Sequence, residues 1–239
     1  MSKIVSVWNE NEQSKINELH DAQLDAVVQL KDQRKGLAEF ARNAHGFAEE
    51  MSKRLLHPES PKVACDVSCA WCCYQQVKVS LPEVMLIAEY VRASMDDECK
   101  KALLKRLKEL HLITQGLSVK KRAGISKSCA FLVDDRCSIY EVRPMSCAEF
   151  TSYNVTVCKR GKRLGFKENG VIHEKARMLS YYSVQLGLVD GIAKVFPDSD
   201  DLWLELTAAV IIALENPQAE AEWIAGKRVF ASAKLIVGR

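Results

Sequence analysis

Cys65-Asp66-Val67-Ser68-Cys69-Ala70-Trp71-Cys72-Cys73 places four thiols within nine positions. All nine cysteines of the 239-residue chain lie between Cys65 and Cys158, and the stretches 1–64 and 159–239 have none. Thiols so confined are not small hydrophobes scattered through a core; the pattern is that of a metal site. Cys129, Cys137 and Cys147 follow in separate blocks, and Cys99 and Cys158 stand apart from them.

The compartment decides what such thiols can be. The start, Met1-Ser2-Lys3-Ile4-Val5, leads into charged sequence without the apolar segment of a signal peptide. The expectation is a cytoplasmic protein, in which ordinary cysteine pairs stay reduced. An odd number of thiols also cannot close into intramolecular pairs without a remainder. Metal ligation is therefore preferred to a disulfide framework. The longest apolar stretch, Ala208 to Leu214, is too short for a bilayer, and a net charge of +3 with interspersed signs gives little basis for nucleic-acid binding. Lys120, Lys121, Arg122 and Lys127, with Lys159, Arg160, Lys162 and Arg163, give the cysteine segment a basic rim, which reads as solvated loop.

Working outward, the flanks are helical. From Glu12 to Leu56 apolar residues recur at threes and fours, as on amphipathic helices. His57-Pro58-Glu59-Ser60-Pro61 ends them, because the residue before a proline is pushed out of helical geometry. If Pro61 opens a new helix, Cys65, Cys69, Cys72 and Cys73 share one face. Ser80-Leu81-Pro82-Glu83 then reads as a capping box starting a further helix. Met95-Asp96-Asp97-Glu98 marks a turn into a second, so that a helical hairpin joins two groups of cysteines. Cys129–Val133 and Cys137–Tyr140 form a small β-hairpin around Asp134-Asp135-Arg136, and the stretch from Phe150 to Cys158 reads as a further extended piece. Helices are expected again over His173 to Leu186, Ser199 or Asp200 to Glu215, and Gln218 to Ile236. The fold class is mainly α: a helical protein enclosing a cysteine-rich metal centre with a small β-hairpin. Its parts are N-terminal helices (1–60), a cysteine-cluster core (61–160) and C-terminal helices packing on that core (161–239).

The candidate metal or cofactor ligands are Cys65, Cys69, Cys72, Cys73, Cys129, Cys137 and Cys147. A tetrahedral zinc, with Zn–S bonds of about 2.3 Å, needs its sulfurs roughly 3.8 Å apart, closer than the about 5 to 6 Å between neighbours on a helix. Helical presentation would therefore favour an iron–sulfur cluster. Seven thiols also exceed what one tetrahedral ion can use. Iron–sulfur ligation is favoured, with zinc as the alternative. Arg143 offers either charge compensation to the thiolates or an ion pair with Glu141 or Glu149. Trp71, Tyr74 and Phe131 shield the site from water or simply pack. Cys99 reads as incidental and Cys158 as an accessory candidate. His20, His45, His57 and His111 lack ligand spacing, and His173-Glu174 lacks the second histidine of a zincin.

The four blocks, with Cys137-Ser138-Ile139-Tyr140-Glu141-Val142-Arg143-Pro144 before Cys147, resemble the YkgJ-like cysteine-cluster family over residues 60–150. The resemblance implies chelation of zinc or iron. It departs at Ala148, where the family usually carries arginine. The three-cysteine block also resembles that of radical S-adenosylmethionine enzymes, but the helical sequel does not supply their β/α barrel. Flagellin lysine methylase carries a similar cysteine block and keeps a protein- or small-molecule-modifying enzyme among the alternatives. Three functions follow: a metal-cluster protein for electron transfer, redox sensing or metal handling; such an enzyme; or a structural zinc module for a partner. The metal ion or cluster is the expected ligand, with a redox or protein partner left open.

Overall fold

Helix α8, Lys175–Val195, packs against both N-terminal helices and against the short helix that carries Cys147. The computed structural model describes residues 8–30, 36–166, 171–197 and 202–236. Helices α1 (Glu10–Leu30) and α2 (Leu37–Leu55) both pack on α8. The approach of α1 is close because α8 has no side chain in its way. A Cβ at Gly187 would stand 2.3 Å from the His20 carbonyl oxygen, and one at Gly191 would stand 2.7 Å from Val27 Cβ. Gly187→Ala must push α1 away from α8 at a cost of about 1–3 kcal/mol, as overpacking does elsewhere. Gly46→Ala in α2 meets nothing within 4 Å and gains about 1 kcal/mol of helix propensity. Denaturant midpoints check this pair; a Gly187→Ala midpoint at or above wild type would contradict the packing.

Strand β1 (Lys78–Ser80) leads directly into α3 (Leu81–Ser94), and α4 (Asp97–Thr114) follows after a short turn. The capping box forms as its residues predict: the Glu83 carboxylate accepts from the Ser80 backbone N–H at 2.9 Å and from Ser80 Oγ at 2.6 Å. The turn also lies where expected, with Asp96 accepting from the Cys99 N–H at 2.7 Å at the start of α4. The two helices are not a self-sufficient hairpin, however. Helix α3 packs on α2 and α9 (Leu206–Glu215), and α4 packs on α9. The buried Val84, Ile87, Ala88 and Val91 of α3 and Leu103 and Leu107 of α4 belong to a core shared with Ala209, Val210 and Ala213 of α9.

Five sequence expectations are corrected. The segment after Pro61 is not a helix; residues 61–77 run as turns and bends. Trp203–Glu205 is strand β4, antiparallel to β1 with Val79 opposite Leu204, and helix begins only at Leu206. Ser199 and Asp200 lie outside the described residues. Short apolar runs fit strand and helix alike, and here pairing with β1 decides. The stretch expected to be extended before Cys158 turns instead into α7 (Val155–Arg163), capped by Asn154, whose Oδ1 accepts the Thr156 N–H at 2.9 Å. The final helix does not run from Gln218 to Ile236: α10 is Ala219–Ile224, and Gly226 at φ +83° follows it in the left-handed conformation that ends helices. Helix α8 in turn continues nine residues past the expected Leu186. The mainly helical class stands, with two small antiparallel two-stranded sheets among the described residues.

Candidate metal centre

The first cysteine block is shaped by its own backbone. Asp66 Oδ1 accepts from the Ser68 N–H at 2.7 Å and from Ser68 Oγ at 2.6 Å, a local turn typical of aspartate. Cys69 N–H donates to the Asp66 carbonyl at 3.1 Å and Cys73 N–H to the Ala70 carbonyl at 3.1 Å, so the block advances turn by turn. The Ala64 N–H donates to the Ser152 carbonyl at 2.8 Å, tying the start of the block to the segment after Cys147.

The second block is brought in by one main-chain bond, from Cys129 N–H to the Cys73 carbonyl at 2.7 Å. Arg122, at the heart of the supposed basic rim, is not solvated. It is 3% exposed and donates to the carbonyls of Tyr74 (2.9 Å), Lys127 (2.9 Å) and Ile125 (3.3 Å). It lies in a short helix, α5 (Val119–Ala123), where a loop was expected. Its guanidinium therefore stitches the residue after Cys73 to the approach to Cys129. Arg106 of α4 adds a bond to the Ala130 carbonyl at 3.0 Å.

The expected hairpin is present but shorter: β2 (Leu132–Val133) pairs with β3 (Arg136–Cys137), Leu132 opposite Cys137. Asp134 and Asp135 turn it with φ of 49° and 59°, the two successive positive values of a tight hairpin turn. The chain then passes through a 3₁₀ turn, Tyr140–Val142, into α6 (Met145–Glu149), which carries Cys147. The first helical N–H of α6, that of Met145, donates to Glu83 Oε1 at 2.7 Å. Gln185 Nε2 of α8 donates to Glu83 Oε2 at 3.0 Å. The same carboxylate thus caps α3, holds the start of α6 and binds α8, and it is fully buried.

These connections bring all seven sequence-predicted cysteines, Cys65, Cys69, Cys72, Cys73, Cys129, Cys137 and Cys147, to the wall of one cavity of about 280 Å³. Phe131, Ile139, Tyr140, Arg143 and Glu149 are among its other walls. None of the nine cysteines is in a disulfide. Among the described residues no three His, Cys, Asp or Glu side chains are gathered as a ready ligand set; the sulfurs line a common wall. Presentation on turns removes the argument from helical spacing that favoured a cluster over zinc. Cys99 is exposed on α4, away from the cavity, whereas Cys158 is buried in α7 and acts electrostatically on Cys65 and Cys69.

Burial sets the acidity of most of these thiols. It pushes Cys129 up to about 12 and Cys147 well above the usual thiol value, and it also raises Cys65, Cys69 and Cys137. Cys72 is lowered because Cys73 donates a hydrogen bond to it, and Cys73 is raised by the same bond. A thiophilic cation entering the cavity must therefore displace protons from buried thiols.

Arg143 makes no ion pair with Glu141 or Glu149. Its guanidinium lies 4.1 Å from the Tyr140 ring centroid, and its charge lowers Cys72, Cys137 and Cys147 against the effect of burial. Phe131 is buried in the cavity wall. Trp71 and Tyr74 instead face α7, with Lys162 Nζ 3.6 Å from the Tyr74 centroid and Lys159 Nζ 5.2 Å from that of Trp71. Two further wall residues are ionisable; the sequence pointed to Glu149 only as an ion-pair partner of Arg143 and gave no signal for Lys78. Burial raises Glu149 to about 7, and burial lowers Lys78, whose Nζ sits 3.9 Å over the Trp203 ring.

Fold and site together define a mainly helical protein built around a cysteine-lined cavity of the kind that chelates soft metals. Residues 64–170 match the family model CxxCxxCC, described as "Putative zinc- or iron-chelating domain". The resemblance to the cysteine-cluster family is thereby borne out, and the match extends past the residues 60–150 that first carried it, to include the position of Cys158. The match supports metal binding by these cysteines, with zinc and iron both within its description. No curated protein and no solved structure matches the chain. Among the described residues no helix is long and apolar enough to cross a membrane.

Proposed function

We propose that the cysteine cavity holds an iron–sulfur cluster, and that the protein serves in electron transfer, redox sensing or metal handling. The observation that carries this reading is the presence of seven thiols on the wall of one cavity, a donor set too large for a single tetrahedral ion and suited in softness to iron and sulfide. Cys65, Cys69, Cys72, Cys73, Cys129, Cys137 and Cys147 are the proposed pool from which the ligands are drawn. The cluster would supply one-electron chemistry. Around it the chain's own residues have separate tasks: Phe131 and Ile139 exclude water, and Arg143 offsets the negative charge of the thiolates. Arg122 and Glu83 hold the blocks in place.

Zinc is the second reading, favoured by the turns themselves, because sulfurs presented on turns are not held to the neighbour spacing of a helix and can meet tetrahedral spacing. One measurement separates the two. Protein purified without oxygen from iron-replete cells should be brown and carry iron and acid-labile sulfide in comparable amounts. Colourless protein with stoichiometric zinc and no sulfide would replace the cluster reading with the structural one.

A further inference from the structure

Beside the cysteine cavity lies a second, larger cleft of about 680 Å³, within the range of small-molecule sites, about 300–1,000 Å³. Cys65, Tyr140, Arg143 and Phe150 line both, so a single layer of side chains separates the two spaces. The far side of the cleft is formed by His45, Gly46 and Glu49 of α2 and by Arg177 and Tyr181 of α8.

The polar groups here differ in how far they are engaged. Arg177 is committed: its Nε donates to the Ala148 carbonyl at 2.7 Å, and its Nη2 lies 3.1 Å from Glu49 Oε2. Tyr181 is committed too, its hydroxyl donating to Glu49 Oε2 at 2.8 Å. The Glu49 carboxylate is thus answered by two partners within the cleft and by Lys53 outside it. Arg143 is different. One face of its guanidinium rests on Tyr140, and it has no hydrogen bond or ion pair to the described residues. Its charge reaches His45 and Tyr181 on the cleft side as well as Cys72, Cys137 and Cys147 on the other. Stacking occupies the face of a guanidinium and leaves the donors at its edge, in the fork that matches the oxygens of a carboxylate or phosphate.

Gly46 supplies an independent observation. It sits in the middle of the continuous helix α2, where glycine is less favourable than alanine, yet a Cβ there would meet nothing within 4 Å. No packing contact accounts for the glycine. It is exposed at the edge of the cleft, so the missing side chain keeps that edge open.

We infer that this cleft binds a small molecule through an oxyanion, a carboxylate or a phosphate, held by Arg143 at the wall of the cysteine site. The inference goes beyond the function proposed above and does not depend on which metal the thiols take. The test is calorimetric titration of the full-length protein, as purified with its metal, with sodium succinate and with inorganic phosphate, at ionic strength fixed by chloride. Saturable binding of one of the two is expected, and the successful probe identifies the anion class. Arg143→Gln should weaken that binding about tenfold or more by removing the charged fork. Gly46→Phe should weaken it by narrowing the entrance, while Lys159→Gln, at an exposed position of α7 outside the cleft, should leave it unchanged. Metal content and circular dichroism are measured on each variant, so that loss of the metal centre is read separately from loss of the anion. If Arg143→Gln does not fold, Arg143→Lys takes its place, since it keeps the charge and loses the fork. Absence of saturation with both anions, wild-type affinity in the Arg143 or Gly46 variants, or equal loss in Lys159→Gln overturns the inference.

Discussion

Cys69→Ser should abolish or severely reduce the metal content of anaerobically prepared protein, while Cys99→Ser leaves it at the wild-type level. Cys69 lines the cavity within the turn-by-turn first block, and Cys99 is exposed at the start of α4. Because metal binding at such a site is coupled to folding, the Cys69 variant should also melt about 5 °C or more below wild type. Its new protease sites should fall among residues 57–165, with α1 and α8 more resistant. Metal per chain, measured on both variants from one preparation scheme, decides the matter. Equal loading of Cys69→Ser and wild type, or loss of metal from Cys99→Ser alone, would defeat the assignment of ligands.

The second large effect is expected at Glu83. Its carboxylate accepts from Ser80 N–H and Oγ, Gln185 Nε2 and the Met145 N–H, and none of it reaches solvent. Glu83→Ala leaves four buried donors without an acceptor and should cost at least about 3 kcal/mol. Glu83→Gln is more selective. An amide can keep its oxygen toward Ser80 and Gln185, where three of the four donors converge, but it then presents its own N–H groups to the Met145 N–H. Helix α6 should loosen at its start, two residues before Cys147, with a milder loss of stability and a disproportionate loss of metal. Melting curves together with metal content test this. If Glu83→Gln lowers stability while metal loading per folded chain stays at the wild-type level, the link from α3 to Cys147 through this carboxylate is wrong.

Much of the fold was legible because local rules and tertiary packing agree. The capping box at Ser80–Glu83, the aspartate turn before α4 and the proline stop after α2 are all set within a few residues, and each formed where its residues place it. The failures share a cause. The turns from Cys65 to Cys73 have helical spacing but receive their shape from Asp66 and from main-chain bonds to Ser152 and Cys129, which lie far along the chain. Trp203–Glu205 became a strand because β1 was there to pair with it. The α1–α8 contact rests on glycines whose role shows only once His20 and Val27 lie against them.

The site divides in the same way. Sequence by itself singled out the candidate thiols: the spacing of Cys65, Cys69, Cys72, Cys73, Cys129, Cys137 and Cys147 set them apart from Cys99 as the proposed ligand pool, and a clustered soft-donor set points to metal chemistry. Tertiary structure decided that the seven share one wall, because convergence of segments dozens of residues apart depends on bonds between them. It also decided the roles of Arg122 and Glu83. In the sequence the first is one cation among several and the second a capping residue; only burial, which deprives each of water, obliges them to gather the carbonyls and N–H groups that hold the blocks together.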